Sequence, residues 1–158
     1  MNLIAVALAE VLVQQKLHVA VAESCTGGMI GAALTDLPGS SDYFSGGIIA
    51  YSITIKEQVL HVPADILAAH GAVSAETVEA MVRCVTAIFG TECGIAVSGV
   101  AGPGGGTAEK PVGTVYVGIA TPKGIYSYRH LFTGDRTTIR KKTVDASLQR
   151  LLELLTEK

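Results

Sequence analysis

The stretch Val19-Ala20-Val21-Ala22-Glu23-Ser24-Cys25-Thr26-Gly27-Gly28 begins as an apolar run of strand type and stops abruptly at an acid, two potential nucleophiles and a glycine pair. An apolar helical pattern follows it. In open α/β sheets, ligands bind in the crevice outside the carboxyl ends of the strands, and the amides opening the next helix point at whatever anion is present. The pattern therefore predicts a ligand site at this turn, with Thr26, Gly27 and Gly28 offering amides to it. Two readings of the hydroxyls stay open. Ser24 is a nucleophile at the mouth of the turn, or Ser24 or Thr26 is the ordinary cap of the helix through Met29, Ile30, Ala33 and Leu34. Cys25 is a rival nucleophile, because a thiolate is intrinsically the stronger one, although no histidine stands in a motif that would pair with it.

Around this turn the chain has 158 residues, 49% of them hydrophobic, which suits one domain, 1–158, with a sizeable core. Its 12 basic and 14 acidic side chains give a formal net charge of -2 and no general attraction to nucleic acid or to an acidic membrane surface. Any anionic ligand must be held by local groups. Cys25, Cys84 and Cys93 form an odd set without C-x-x-C spacing, which argues against a disulfide framework or zinc site and for a reducing, cytoplasmic setting. His18, His61, His70 and His130 are scattered and form no H-E-x-x-H pair, so neither metal nor cofactor is expected. Leu3 to Val13 is apolar, but it lacks a basic leader, carries Glu10 and is too short to span a bilayer.

Periodicity and punctuation give an element order. Leu3 to Lys16 reads as a helix, His18 to Ala22 as a strand, and Thr26 to Asp36 as a helix ended by Leu37-Pro38-Gly39. Phe44 to Tyr51 reads as a strand in which Gly46 and Gly47 mark a bulge or a close approach. Ser74 caps a helix whose stripe is Val78, Val82, Val85 and Phe89, and Gly94 to Ser98 is a strand. Val112 to Thr121 and Ile125 to Thr133 alternate around Pro122-Lys123-Gly124 as an antiparallel hairpin, so the sheet is mixed. Asp135 caps a last helix with Val144, Leu148, Leu151 and Leu155 on one face. The apolar first and last helices point to a homo-oligomer.

Three further features carry chemistry. The segment from Gly99 to Thr107 is a loop too rich in glycine for a buried element, and it leads into a strand rather than a helix, so it is neither a Rossmann turn nor a P-loop. It is a plain connector, or its bare amides at Gly99, Gly102, Gly104 and Gly105 line a pocket whose edge Ser98 shares. Thr54-Ile55-Lys56-Glu57 fits the capping-box pattern and puts Lys56 in a first turn, against the positive end of the helix dipole. Lys56 is then a solvated surface lysine, or a desolvated one whose lowered pKa lets it act as a general base. Arg136 and Arg140 lie four apart just after Asp135 and oppose the dipole in the same way, which suggests a phosphate site or a basic face in solvent.

Together, Ala22-Glu23-Ser24-Cys25-Thr26-Gly27-Gly28, Pro38-Gly39-Ser40-Ser41, Tyr51-Ser52, His70-Gly71-Ala72-Val73-Ser74, Ser98-Gly99-Val100-Ala101-Gly102-Pro103, Glu109-Lys110-Pro111-Val112-Gly113-Thr114 and Gly134-Asp135-Arg136 resemble the CinA C-terminal domain family. That family includes nicotinamide-nucleotide amidases. The blocks occur in the family's order over nearly the whole chain. The resemblance implies a three-layer α/β/α sandwich over a mixed, mostly parallel sheet. It implies hydrolysis of nicotinamide mononucleotide to nicotinic acid mononucleotide and ammonia, with Ser24 as nucleophile, Tyr51 and Lys56 assisting and Ser98 at the pocket. Ser98 stands where the family often has threonine, and both supply a hydroxyl. Longer CinA proteins carry an additional amino-terminal domain, so the resemblance is to the stand-alone amidase form without that domain's pyrophosphatase activity.

The mechanism expected on this basis has neutral Lys56, directly or through Tyr51, deprotonating Ser24, with amides of the turn or of the glycine loop holding the oxyanion. The expected partner is a small nucleotide, with no nucleic acid or membrane involved. The alternative from another class is a non-catalytic pyridine-nucleotide or phosphate-ligand binding module.

Overall fold

The computed structural model describes residues 1–157. Its centre is β1 (Val19–Glu23), five residues long and buried throughout. A strand covered on both faces reads as a continuous apolar run, and this one sits between β2 (Phe44–Ile49) and β3 (Cys93–Gly99), parallel to both. The hairpin of β4 (Thr114–Thr121) and β5 (Gly124–Leu131) continues the sheet antiparallel from β3, giving the order β2-β1-β3-β4-β5. Four strands thus run in one direction and β4 runs against them, so the sheet is mixed and mostly parallel in direction, as expected. Thr121 pairs with Gly124 across the two-residue turn Pro122-Lys123. The irregularity expected near the glycines of β2 is present: Val19 pairs with Phe44 but Ala20 with Gly46.

Alternation along the strands sets the layers. On one face Val19, Val21, Ile95, Val97, Val115, Val117 and Ile119 pack against α1 (Leu3–Gln15), α2 (Met29–Thr35) and α6 (Arg136–Thr156). Leu8 and Leu12 of α1 share that core with Leu148 and Leu151 of α6, so much of the apolar character of the first and last helices is buried within the chain. The other face carries small side chains, Ala20, Ala22, Ala96 and Ala120, and receives α5 (Ala75–Phe89) through Val78, Met81, Val82 and Val85. Small residues let the helix backbone come close: a Cβ on Gly118 would lie 2.5 Å from the Val78 carbonyl oxygen. The short helices α3 (Ile53–Gln58) and α4 (Ala64–His70) complete the connection from β2 to α5. The result is the three-layer α/β/α sandwich. Among the described residues, no helix is long and apolar enough to cross a membrane.

Two local expectations need correction. The helix expected from Thr26 begins at Met29, with Gly28 as an N-cap that has no side chain to offer, and neither Ser24 nor Thr26 caps it. The strand expected to reach Tyr51 ends at Ile49, because the chain turns there into α3. The caps expected for the long helices hold: the Ser74 side chain accepts from Thr77 N and the Asp135 side chain from Thr138 N.

The close contact of α5 with β4 yields a direct test of the fold. Gly118→Ala should lower stability by about 1 to 3 kcal/mol in urea unfolding, since a methyl group there must displace a helix backbone. An unchanged midpoint would contradict this packing.

Candidate active site

The carboxyl end of β1 is fastened on both sides before Ser24 and Cys25 appear. Ala50 N donates to Glu23 O at 2.8 Å and Ser24 N donates to Val97 O at 3.2 Å, which ties this end to both neighbouring strands. The Glu23 side chain, 1% exposed, then turns to the α2 side of the sheet. Its carboxylate accepts from Ile30 N at 2.9 Å, from Gly31 N at 3.0 Å and from the Thr26 hydroxyl. Glu23 is therefore the cap of α2, satisfying amides that Gly28 cannot reach and meeting the positive end of the helix. Thr26 is fully buried by that bond, and Gly28 takes φ +107, where a Cβ would also press on Ile49 at 3.3 Å.

Lys56 enters the same point from the other side. It does not lie in a first turn facing the helix dipole, as the Thr54 capping box implied. Ser52 caps α3 by accepting from Ile55 N, which leaves Lys56 in the second half of a six-residue helix. What perturbs it is burial. The side chain is 1% exposed, and its Nζ lies 2.8 Å from Ala50 O, 3.0 Å from Tyr51 O and 3.0 Å from Ser24 Oγ. All three partners are neutral. Desolvation without a carboxylate partner lowers its pKa from 10.5 to about 8.

That geometry has a chemical reading. A neutral amine has two N–H donors and one lone pair. Two carbonyls can hold the donors, leaving the lone pair directed at the Ser24 hydroxyl. Lys56 reaches Ser24 directly, so no relay through the Tyr51 phenol is needed, and Tyr51 meets Lys56 through its main-chain carbonyl. The neighbouring Cys25 thiol is pushed up by burial to about 11, which keeps it protonated near neutral pH.

Ser24, Cys25, Tyr51 and Lys56 line a cleft of about 290 Å³. Ser98, 2% exposed at the end of β3, and Gly99 line it as well. Gly102, Gly104 and Gly105 line it too, so the glycine segment borders the cleft and is not a remote connector. Gly102 takes φ +82, and a Cβ there would strike Val112 at 2.5 Å. Ala72 and Val73, from the turn between α4 and α5, add an apolar flank that the sequence reading missed.

The two arginines separate in position. Arg136 lines the cleft, donating to Gly102 O at 2.8 Å and to the Tyr51 hydroxyl at 3.1 Å. Arg140 lies behind the turn, its Nε donating to Cys25 O at 3.0 Å and its Nη2 to Thr26 O at 3.1 Å. Arg140, Thr26, Gly27 and Gly28 are thus not brought to the cleft wall. They build the turn that presents Ser24.

An α/β/α sandwich with its cleft at the carboxyl ends of β1 and β3 is the class that this fold and site define. The chain belongs to the CinA family, whose C-terminal domain model matches residues 2–155. A CinA-like protein of Synechocystis is 59% identical over 118 residues, covering 75% of this chain and 28% of the relative. One from Gemmatimonas aurantiaca is 50% identical over 135 residues, covering 85% and 32%. The chain spans about a third of the length of the curated relatives it matches. Among solved structures, a CinA superfamily protein of Klebsiella pneumoniae superposes with a TM-score of 0.94 at 33% identity, covering 98% of each chain. A competence/damage-inducible protein of Agrobacterium tumefaciens gives 0.90 at 35% identity, covering 99% of this chain and 98% of that one.

Burial of Lys56 also has a signature in stability. Between pH 8 and 10.5 the unfolded chain binds a proton at this lysine that the folded chain has released, so its contribution makes stability rise with pH across that window. Measured by urea unfolding, the wild type should be weakest relative to Lys56→Met at and below pH 8. The difference should shift in favour of the wild type by on the order of 3 kcal/mol as pH approaches 10.5. A pH-independent difference would mean that the lysine keeps an ordinary pKa.

Proposed function

We propose that this protein is an amidohydrolase that converts nicotinamide mononucleotide and water to nicotinic acid mononucleotide and ammonia. The observation that carries the reading is the contact of Lys56 Nζ with Ser24 Oγ at 3.0 Å inside a buried, carboxylate-free cluster that opens on a cleft. Burial alone would make such a lysine costly, and a poised base beside a hydroxyl is a use that accounts for it. Membership of the CinA family supports the choice of substrate.

In this mechanism neutral Lys56 takes the Ser24 proton as Oγ attacks the carboxamide carbon. Amides at the cleft wall hold the oxyanion. The protonated Lys56 then gives its proton to the departing nitrogen, the carbon–nitrogen bond breaks, and ammonia leaves an acyl ester on Ser24. Lys56, neutral again, takes a proton from water as the water attacks that ester, and returning the proton to Ser24 Oγ releases the acid. Ser98 lines the cleft, and in this reading its hydroxyl orients the substrate. Arg136, with its guanidinium at the rim, meets the nucleotide phosphate.

Ammonia release should vanish in Ser24→Ala and persist in Cys25→Ala, with circular dichroism of both unchanged. A dead cysteine variant beside an active serine variant would reverse the assignment, and a wild type that binds the nucleotide without turnover would make the cleft a binding module.

Arg136→Ala should reduce kcat/KM on the mononucleotide by roughly ten- to a hundredfold, as expected for one lost charge-assisted contact, while scarcely changing residual activity on the phosphate-free riboside. Equal losses on both substrates would place Arg136 in the chemistry or the fold instead.

A further inference from the structure

Three consecutive peptide units after Ser24 are held by their carbonyls. Ser24 O accepts from Gly27 N at 3.0 Å, Cys25 O from Arg140 Nε at 3.0 Å, and Thr26 O from Arg140 Nη2 at 3.1 Å and from Met29 N at 3.1 Å. In a trans peptide the N–H points opposite to the C=O, so the amides of Cys25 and Thr26 face away from these partners. Among the described residues neither amide donates to another residue, and the only protein group that the Cys25 amide meets is its own thiol. Thr26 is fully buried, whereas Cys25 lines the cleft beside Ser24.

We propose that Arg140 is a positioning residue that fixes the Cys25 amide as the oxyanion donor at one remove: it holds the Thr26 carbonyl, whose peptide unit carries the Gly27 N–H that grips Ser24 O, and Ser24 O belongs to the same peptide unit as the Cys25 N–H. This rests on the amidase reading of the cleft. The amide after a nucleophilic residue lies within reach of the carbonyl which that residue attacks, and a donor fixed beforehand needs no reorganisation during reaction. A planar guanidinium matches two neighbouring oxygens as a single ammonium cannot. The base of the clamp is firm: α6 is capped by Asp135 and buries Ile139 and Val144 on either side of Arg140. Gly27 leaves room for it, since a Cβ there would lie 3.3 Å from Arg140 Nη2.

The test compares wild type, Arg140→Ala and Arg140→Lys by ammonia release and by the rate at which a fluorophosphonate labels Ser24, read by intact mass. Labelling joins Ser24 Oγ to phosphorus, expels fluoride and leaves the hydroxyl proton on Lys56. It needs the oxyanion donor but not the nicotinamide substrate. A wild type that labels at Ser24 but releases no ammonia would overturn the proposed substrate and leave Arg140 to be judged on labelling alone. Arg140→Ala should slow both kcat and labelling by about a hundredfold with KM changed less than about threefold, and added guanidinium at low concentration should restore roughly tenfold. Wild-type rates in Arg140→Ala would overturn the proposal. So would a raised KM at unchanged kcat, the outcome for a phosphate ligand. If Arg140→Ala fails to fold, Arg140→Lys is judged by the same two results.

Discussion

A lysine with 1% exposure, whose partners are two carbonyls and a serine hydroxyl, constrains everything around it. The lysine and its partners come from three places. Ala50 and Tyr51 follow the end of β2, Ser24 follows β1, and Lys56 itself comes from α3. The contact exists because β1 and β2 are parallel neighbours whose carboxyl ends lie side by side, stitched by Ala50 N donating to Glu23 O. A shift of register between these strands would separate the Lys56 amine from the Ser24 hydroxyl.

Keeping the lysine without a counter-ion requires the nearby acid to be engaged elsewhere. Glu23 is adjacent to Ser24 in sequence, yet alternation along β1 sends its side chain to the opposite face of the sheet, where three donors meet its carboxylate. One residue thus anchors the Ser24 turn while its charge stays away from the Lys56 amine. The beginning of α6 supports the same turn and the glycine segment through Arg140 and Arg136, so the far end of the chain closes the site that the first strand opens.

How much of this was legible in the sequence depended on the range of each interaction. The long helices α5 and α6 and the hairpin β4–β5 were readable because Ser74, Asp135 and the Pro122-Lys123 turn act on residues next to them. Ser24, Lys56, Ser98, Gly102, Gly104, Gly105 and Arg136 could be named as site candidates, and the structure brings them to one cleft. The cap of α2 was misread because Glu23 stands well upstream of Met29, beyond the usual spacing of a capping side chain. The setting of Lys56 was misread because Ser52 and Thr54 offer overlapping cap patterns, and only the turn at the end of β2 decides between them. Nothing local marks Ala72 and Val73 as a cleft flank, since that depends on where α4 hands over to α5.

The central claim is that folding alone, with no substrate bound, makes Lys56 a base. Nitrogen-15 NMR of the Lys56 Nζ, assigned by comparison with Lys56→Met, measures its titration directly. A midpoint of about 8 is the result this account predicts. A midpoint near that of a free lysine, roughly 10.4, would contradict it, because the amine would then hold its proton throughout the range in which it has to accept one.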